Sequence, residues 1–252
     1  MSTYTLTGRR VLITRAADDA ARWAARLTVH GAVVDVMPCV RTQRITDAGT
    51  RERLLAALHD ADCLVLTSAR GVDAVAGLPG VTALASAARE TVAVGAATAG
   101  AMADRLGVIP YVARGGSARA LGDELAARWG ARSAGRRVVV VGARDGRTDV
   151  EDALRAAGAC VTRVDVYRTI PAPPRQHRRN LAGDGITDVL LASPSAVTGL
   201  LNQAVVTNGV RLYAIGATTA AAIAAAALRL TAQSATPDLD GLLEAMRCAP
   251  RV

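Results

Sequence analysis

The chain has 252 residues, 51% of them hydrophobic, with 30 basic and 22 acidic side chains and a formal net charge of +8. All the basic side chains are Arg, because there is no Lys, so a Schiff-base lysine and a P-loop lysine are excluded. There is no Phe and only 2% aromatic residues, so the core is expected from Ala, Val, Leu and Ile, and base stacking is a poor fit. The length suits one large or two small domains, and the hydrophobic content argues against disorder.

The arginines are scattered, with no run of five or more, and the Arg-for-Lys bias reads as codon usage rather than as a nucleic-acid footprint. The cysteines, Cys39, Cys63, Cys160 and Cys248, form no CxxC pair and lie near no His at ligand spacing. No metal site is expected. Cys63 and Cys160 fall in apolar strand-like runs and read as core residues. His30, His59 and His177 fall near helix ends or in polar segments. The N-terminal residues show no signal-peptide core, and the uncharged run Ala220 to Leu228 is too short for a bilayer. A cytoplasmic location is expected.

Strands and helices alternate along the chain. Val11–Thr14 reads as a buried strand, followed by a helix that Asp18 can cap and Gly31 ends. Strands are expected at Val33–Met37, Cys63–Leu66, Thr91–Val94, Ile109–Val112, Arg137–Val141, Cys160–Val166, Thr187–Leu191, Leu212–Ile215 and Leu228–Thr231. Helices are expected at Arg51–His59, Gly71–Ala76, Ala96–Arg105, Arg119–Trp129, Val150–Ala157, Ala196–Asn202, Thr218–Ala227 and Leu239–Arg247. Near-continuous apolar strands alternating with helices predict parallel sheets covered on both faces.

The two halves repeat. RRVLITRA at Arg9 answers RRVVVVGAR at Arg136, and HGAVVDVMPCVRT answers AGACVTRVDVYRT. LVLTSARGVDAV from Leu64 answers VLLASPSAVTGL, AVGAATAGAM from Ala93 answers AIGATTAAAI, and SARALGDELAARW answers TPDLDGLLEAMR. Five blocks in one order indicate a duplicated βα module of about five strands. Tyr167–Pro174 and its counterpart Pro38–Thr42 read as extended connectors, so the chain is expected to cross twice between two domains.

GxSxG, P-loop and GxGxxG motifs are absent. What recurs is a small hydroxyl residue between a strand and a helix, at Thr67-Ser68, Thr98, Ser193-Ser195 and Thr218-Thr219. Each is an ordinary N-cap candidate. Four of them in two equivalent modules also suit a carboxylate-binding cleft, because helix starts expose N–H groups where open α/β sheets bind ligands.

In order and spacing, VLITR, TSARGV, VGAATAGAM, GAxVxxxxVYRT, SPSAV and AIGATTA resemble the uroporphyrinogen-III synthases, from Arg10 to about Met246. Tyr167-Arg168-Thr169 and Ile215-Gly216-Ala217-Thr218-Thr219 carry most of the specificity. The resemblance implies two similar parallel-sheet α/β domains joined by a two-stranded connector. One would comprise residues 1–38 plus 171–252 and the other 43–166, with connectors at 38–43 and 166–174.

The resemblance also implies a cofactor-free reaction. Hydroxymethylbilane loses its terminal hydroxyl, and a spiro intermediate leads to a tetrapyrrole ring with pyrrole D inverted. Carried over residue by residue, Tyr167 falls on the connector tyrosine, the candidate acid. Thr67, Ser68 and Thr219 fall on cleft hydroxyls, and Ser193 and Ser195 on the SPS turn. Thr218 adjoins Thr219, and Arg15 and Arg144 stand at equivalent strand ends, placed to meet substrate carboxylates. Ala192 replaces a common Thr, and Ala96 and Ala217 replace a common Pro. The expected partner is the small-molecule tetrapyrrole alone, bound by a monomer, with no membrane or nucleic acid. The alternative is a non-catalytic tetrapyrrole-sensing module of a regulator. An end at Val252 without a winged-helix segment favours the enzyme. A nucleotide-binding domain fits less well, for lack of a Gly-rich fingerprint.

Overall fold

A computed structural model describes residues 5–115 and 118–249, apart from the Asp18 side chain. In chain order it begins β1 (Arg10–Ile13), α1 (Ala17–Val29), β2 (Val33–Val36), β3 (Val40–Arg44), α2 (Ala48–His59), β4 (Cys63–Leu66), α3 (Ala69–Ala76) and α4 (Val81–Ala87). There follow β5 (Glu90–Ala93), α5 (Ala96–Leu106), β6 (Tyr111–Val112), α6 (Ala118–Trp129), β7 (Arg137–Ala143), α7 (Asp149–Ala156) and β8 (Cys160–Pro171). The chain ends with β9 (Arg179–Asn180), β10 (Asp188–Leu191), α8 (Pro194–Gln203), β11 (Ala204–Val205), β12 (Arg211–Ala214), α9 (Ala217–Ala225), β13 (Leu230–Gln233) and α10 (Leu239–Cys248).

Two compact units result, one from the segments up to Arg41 and from Ile170 onward, the other from Thr42–Thr169. The first holds a five-stranded sheet in the order β13-β12-β10-β1-β2, with every pairing parallel. A six-stranded sheet runs β3-β8-β7-β4-β5-β6, parallel from β8 to β6, and β9 and β11 form a separate two-stranded parallel sheet. Taken through the sequence repeat, β2, β1, β10, β12 and β13 correspond in order to β8, β7, β4, β5 and β6. The mixed α/β class with mostly parallel sheets follows from the apolar strand runs, which helices cover on both faces.

Strand alternation sorts the core. Val11 and Ile13 of β1 pack with Trp23, Leu27, Leu242 and Met246 of α1 and α10, whereas Leu12 packs with Val197, Leu200 and Ile223 of α8 and α9. In β4, Leu64 and Leu66 face Val72, Val75 and Met102, while Cys63 and Val65 face Leu121, Leu125 and Leu154. Each such aliphatic side chain contributes about 1.5–3 kcal/mol by leaving water.

Several local expectations need correction. The N-cap of α1 is Ala16, without a side-chain bond, and Asp18 falls inside the helix with its side chain outside the described residues. Helix α4 has no sequence counterpart; it follows Leu78-Pro79-Gly80, where Gly80 takes a left-handed conformation at the N-cap (φ 79°). Cys160 is exposed rather than buried: it is the first residue of β8, at the end of the strand where it pairs with Arg137, the first residue of β7.

The expected two-stranded connector falls on strands β3 and β8. β8 is one continuous strand of 12 residues, and β3 lies beside it in the sheet. Pro171 is the last β8 residue, and Pro173 and Pro174 fall beyond it. In the first unit α8 grips both segments. The Ala172 N–H donates to the Cys39 carbonyl at 2.8 Å, and Gln203 Nε2 donates to the Pro38 carbonyl at 2.8 Å. Asn202 Nδ2 donates to the Ala172 carbonyl at 2.8 Å.

Candidate functional site

In each unit the candidate residues gather at the carboxyl ends of the parallel strands, where open α/β sheets hold ligands. Among residues 42–169 these are the ends of β4 and β7 and, beside the end of β7, Tyr167 of β8. Ser68 follows β4 in an extended conformation and caps α3, its Oγ accepting the Gly71 N–H at 3.0 Å. The same Oγ lies 2.9 Å from the Tyr167 hydroxyl, in a bond that either group can donate.

A β-bulge makes that pair possible. β7 and β8 run in register until Gly142 faces Asp165, and the next partners are Ala143 and Tyr167. The extra residue is Val166. Without it, alternation would send Tyr167 to the face of Arg163 and Asp165. With it, Tyr167 joins Val164 and Val166 in the core shared with α3 and α5, only 7% exposed. The Arg144 N–H fixes the Tyr167 carbonyl at 2.8 Å just past the bulge.

Thr67 and Arg144 serve differently. Thr67 Oγ1 donates to the Val141 carbonyl at 3.1 Å, so its hydroxyl proton is committed to the end of β7. The Arg144 side chain is exposed. The next helix, α5, has Gly95 as N-cap and no side-chain cap; Thr98 is buried within the first turn. Its first-turn N–H groups therefore lack a capping side chain.

The first unit repeats the scheme. Ser193 caps α8 by accepting the Ala196 N–H at 3.2 Å, with Pro194 in the first turn and Ser195 half-buried beside it. The cap of α9 is Gly216, again without a side chain; Thr218 is exposed and Thr219 is buried. Thr98, Thr218 and Thr219 are thus first-turn residues rather than caps. Each unit pairs one serine-capped helix start with one glycine start that presents bare N–H groups and the positive end of the helix dipole.

Arg15 follows β1. Its guanidinium lies 4.7 Å from the Trp23 ring centroid and 3.4 Å from an Asp19 oxygen. It lines a cleft of about 330 Å³ with Arg22, Arg26 and the α10 cap Asp238. A wider cleft of about 510 Å³, between β13 and α10, holds none of the candidate residues.

Sequence reasoning missed Arg163 and Glu151. Arg163 Nη1 meets the buried Glu151 carboxylate at 2.5 Å, and Nε meets Asp165 at 2.8 Å. The signal was the alternation Val161-Thr162-Arg163-Val164-Asp165-Val166, which puts Arg163 and Asp165 on one face. The buried Asp188 is different: it opens β10 at the opposite strand end, with Arg211 at 2.9 Å, and belongs to the packing. Beside it Tyr213 is pushed up to about 12, by burial first and the Asp188 charge second.

Among the described residues no group of three or more His, Cys, Asp or Glu could hold a metal ion, and no helix is long and apolar enough to cross a membrane. Burial pushes the Cys39 and Cys63 thiols up to about 12, so neither is poised as a nucleophile.

No curated protein sequence matches the chain significantly. Solved structures do. The uroporphyrinogen-III synthetase of Helicobacter pylori is 12% identical, with 94% of this chain and 97% of that chain covered and a TM-score of 0.52. A mutant uroporphyrinogen III synthase from Thermus thermophilus is 17% identical, covering 95% of this chain and 97% of that chain, with a TM-score of 0.48. At such identities the Helicobacter likeness shows a shared fold. The family model described as uroporphyrinogen-III synthase HemD matches residues 21–244, nearly the whole chain. The chain therefore belongs to the uroporphyrinogen-III synthase family.

Proposed function

We propose that this chain converts hydroxymethylbilane to uroporphyrinogen III, acting as a cyclising hydro-lyase in tetrapyrrole synthesis. The observation that carries the reading is the Tyr167–Ser68 hydroxyl pair, just past the carboxyl end of β4 and at the last β8 residue paired with β7. Ser68 Oγ already accepts the Gly71 N–H, so its own proton is available to Tyr167. With Ser68 as donor, the phenol proton is free to pass to the departing hydroxyl, which leaves as water. The Ser68 bond then steadies the phenolate until it recovers a proton.

Ring closure itself needs folding of the bilane more than acid–base chemistry, so positioning is expected to dominate. In their own units, the bare helix start at Gly95 with the exposed Arg144, and the bare helix start at Gly216 with the exposed Thr218, each suit a substrate carboxylate, while the buried Thr219 supports the first turn of α9. Arg15 after β1 and Ser193 and Ser195 after β10 in the first unit, and Thr67 after β4 in the other, are read as further contacts or supports. The reading takes the protein as a cytoplasmic monomer that needs no cofactor, nucleic acid or membrane.

The test is direct. Hydroxymethylbilane is added to the protein in EDTA, and the uroporphyrin isomers are separated after oxidation. Type III should dominate. Type I alone would sink the enzymatic reading, and strict dependence on an added metal would refute the mechanism.

A further inference from the structure

Arg163 makes contacts that an ion pair alone does not need. Beyond Glu151 and Asp165, its Nη1 donates to the Arg147 carbonyl at 3.1 Å and its Nη2 donates to the Ala143 carbonyl. The guanidinium thereby spans the turn between β7 and α7, from residue 143 to residue 147. The turn is shaped around it: a Cβ on Gly146 would lie 2.9 Å from Arg163 Nη2 and 3.0 Å from the Ala143 carbonyl. Glu151, 1% exposed, comes from the first part of α7 and holds the fork from the far side.

That turn also carries the contact that fixes the candidate acid. Arg144 follows Ala143 directly, and its N–H holds the Tyr167 carbonyl at 2.8 Å, next to the bulge. Arg163 lies on the opposite face of β8 from Tyr167. It reaches Tyr167 only through the backbone of Ala143 and Arg144.

We propose that Arg163 is a positioning residue for Tyr167: its fork clamps the Ala143–Arg147 turn, and the turn's Arg144 N–H keeps the Tyr167 hydroxyl on Ser68. The proposal rests on the functional reading above for its kinetic arm, but not for its structural arm. A planar fork serves four acceptors at once, which a single ammonium group does not.

Arg163→Ala strands the Glu151 carboxylate in the interior and risks unfolding. The working variant is therefore R163M/E151Q, which removes both charges and keeps the volume while depriving the Ala143 and Arg147 carbonyls of their donor. Two readouts are taken on the folded variant. Exchange of the Arg144 amide hydrogen should accelerate by about tenfold or more, through local opening of the turn. Turnover of hydroxymethylbilane to the type III isomer should fall by up to about 10²-fold with the Michaelis constant near wild type, as expected for a misplaced group. Arg163→Lys, which keeps the charge for Glu151, should show the same pattern, and it stands in if the double variant does not fold.

Unchanged Arg144 exchange in either folded variant overturns the clamp. Faster exchange with unchanged turnover overturns the link to Tyr167. If the wild-type protein itself makes no type III isomer, the functional reading fails, and the exchange arm still decides the clamp.

Discussion

The Tyr167 hydroxyl rests 2.9 Å from Ser68 Oγ, although 99 residues separate the two, and Ser68 itself closes the first turn of α3. One serine thus joins a helix cap to the candidate acid. Tyr167→Phe removes the proton but keeps the ring that packs against Val72 and Val75 in the core. Turnover should fall by about 10²–10⁴-fold, with a stability loss of about 0.5–1.5 kcal/mol for the missing bond. Ser68→Ala should cost a further cap, about 1 kcal/mol. Isomer assays beside thermal melts check both. Nearly full activity in the Phe variant would make Tyr167 an anchor for β8 rather than an acid.

Arg144 separates binding from chemistry. Its backbone N–H is structural, while its exposed side chain is available to a substrate carboxylate. Arg144→Ala should raise the Michaelis constant and leave turnover within about twofold, the mark of uniform binding loss. Added salt should raise the wild-type constant and affect the variant less, since exposed ion pairs are screened. Equal salt dependence in both proteins would remove Arg144 from the substrate contacts.

Gly199 sets how near α8 lies to the segments it grips. A Cβ there would stand 1.7 Å from the Cys39 carbonyl oxygen and 3.0 Å from the Ala172 nitrogen. In an open helix, Gly→Ala stabilises by about 1 kcal/mol. Here overpacking should reverse the sign and cost about 1–3 kcal/mol or more. A denaturant melt of Gly199→Ala that shows increased stability would mean α8 does not approach Cys39 this closely.

Asp62 is one of several carboxyls expected to contribute to acid sensitivity. The Arg137 backbone N–H, and secondly the Arg137 and Arg89 charges, hold its carboxyl below the usual carboxylate range against the effect of burial. A depressed folded value stabilises the protein above the unfolded value, about 3.9. That contribution fades as pH falls through the lower folded value. Asp62→Asn should therefore narrow the gap between denaturant midpoints measured at pH 7 and near pH 3. An identical gap in the variant would show that Asp62 does not contribute.

The thiols divide by burial. Cys160 and Cys248 are exposed, whereas Cys39 and Cys63 are buried with raised thiol values. A maleimide reagent followed by mass spectrometry should label the first two in the native protein and the others only after unfolding. Native labelling of Cys63 would contradict the packing of β4.

The sequence by itself determined the fold class. Runs such as Val11-Leu12-Ile13 and Cys63-Leu64-Val65-Leu66 are apolar on both faces, so they belong to helix-covered parallel sheets, and the five repeated blocks reappear as the same strand order in the two sheets. Ser68 and Ser193 were legible as caps because a cap is a local contact, three residues long. Thr98 and Thr219 were not, because the backbone starts those helices at Gly95 and Gly216 and leaves the hydroxyl residues in the first turn. The pairing of β3 with β8 and the side on which Tyr167 emerges depend on hydrogen bonds to distant strands. No pattern in Val164-Asp165-Val166-Tyr167 announces a bulge. Alternation alone sends Tyr167 to the wrong face, and only pairing with Gly142 and Ala143 of β7 inserts the extra residue that turns its hydroxyl toward Ser68.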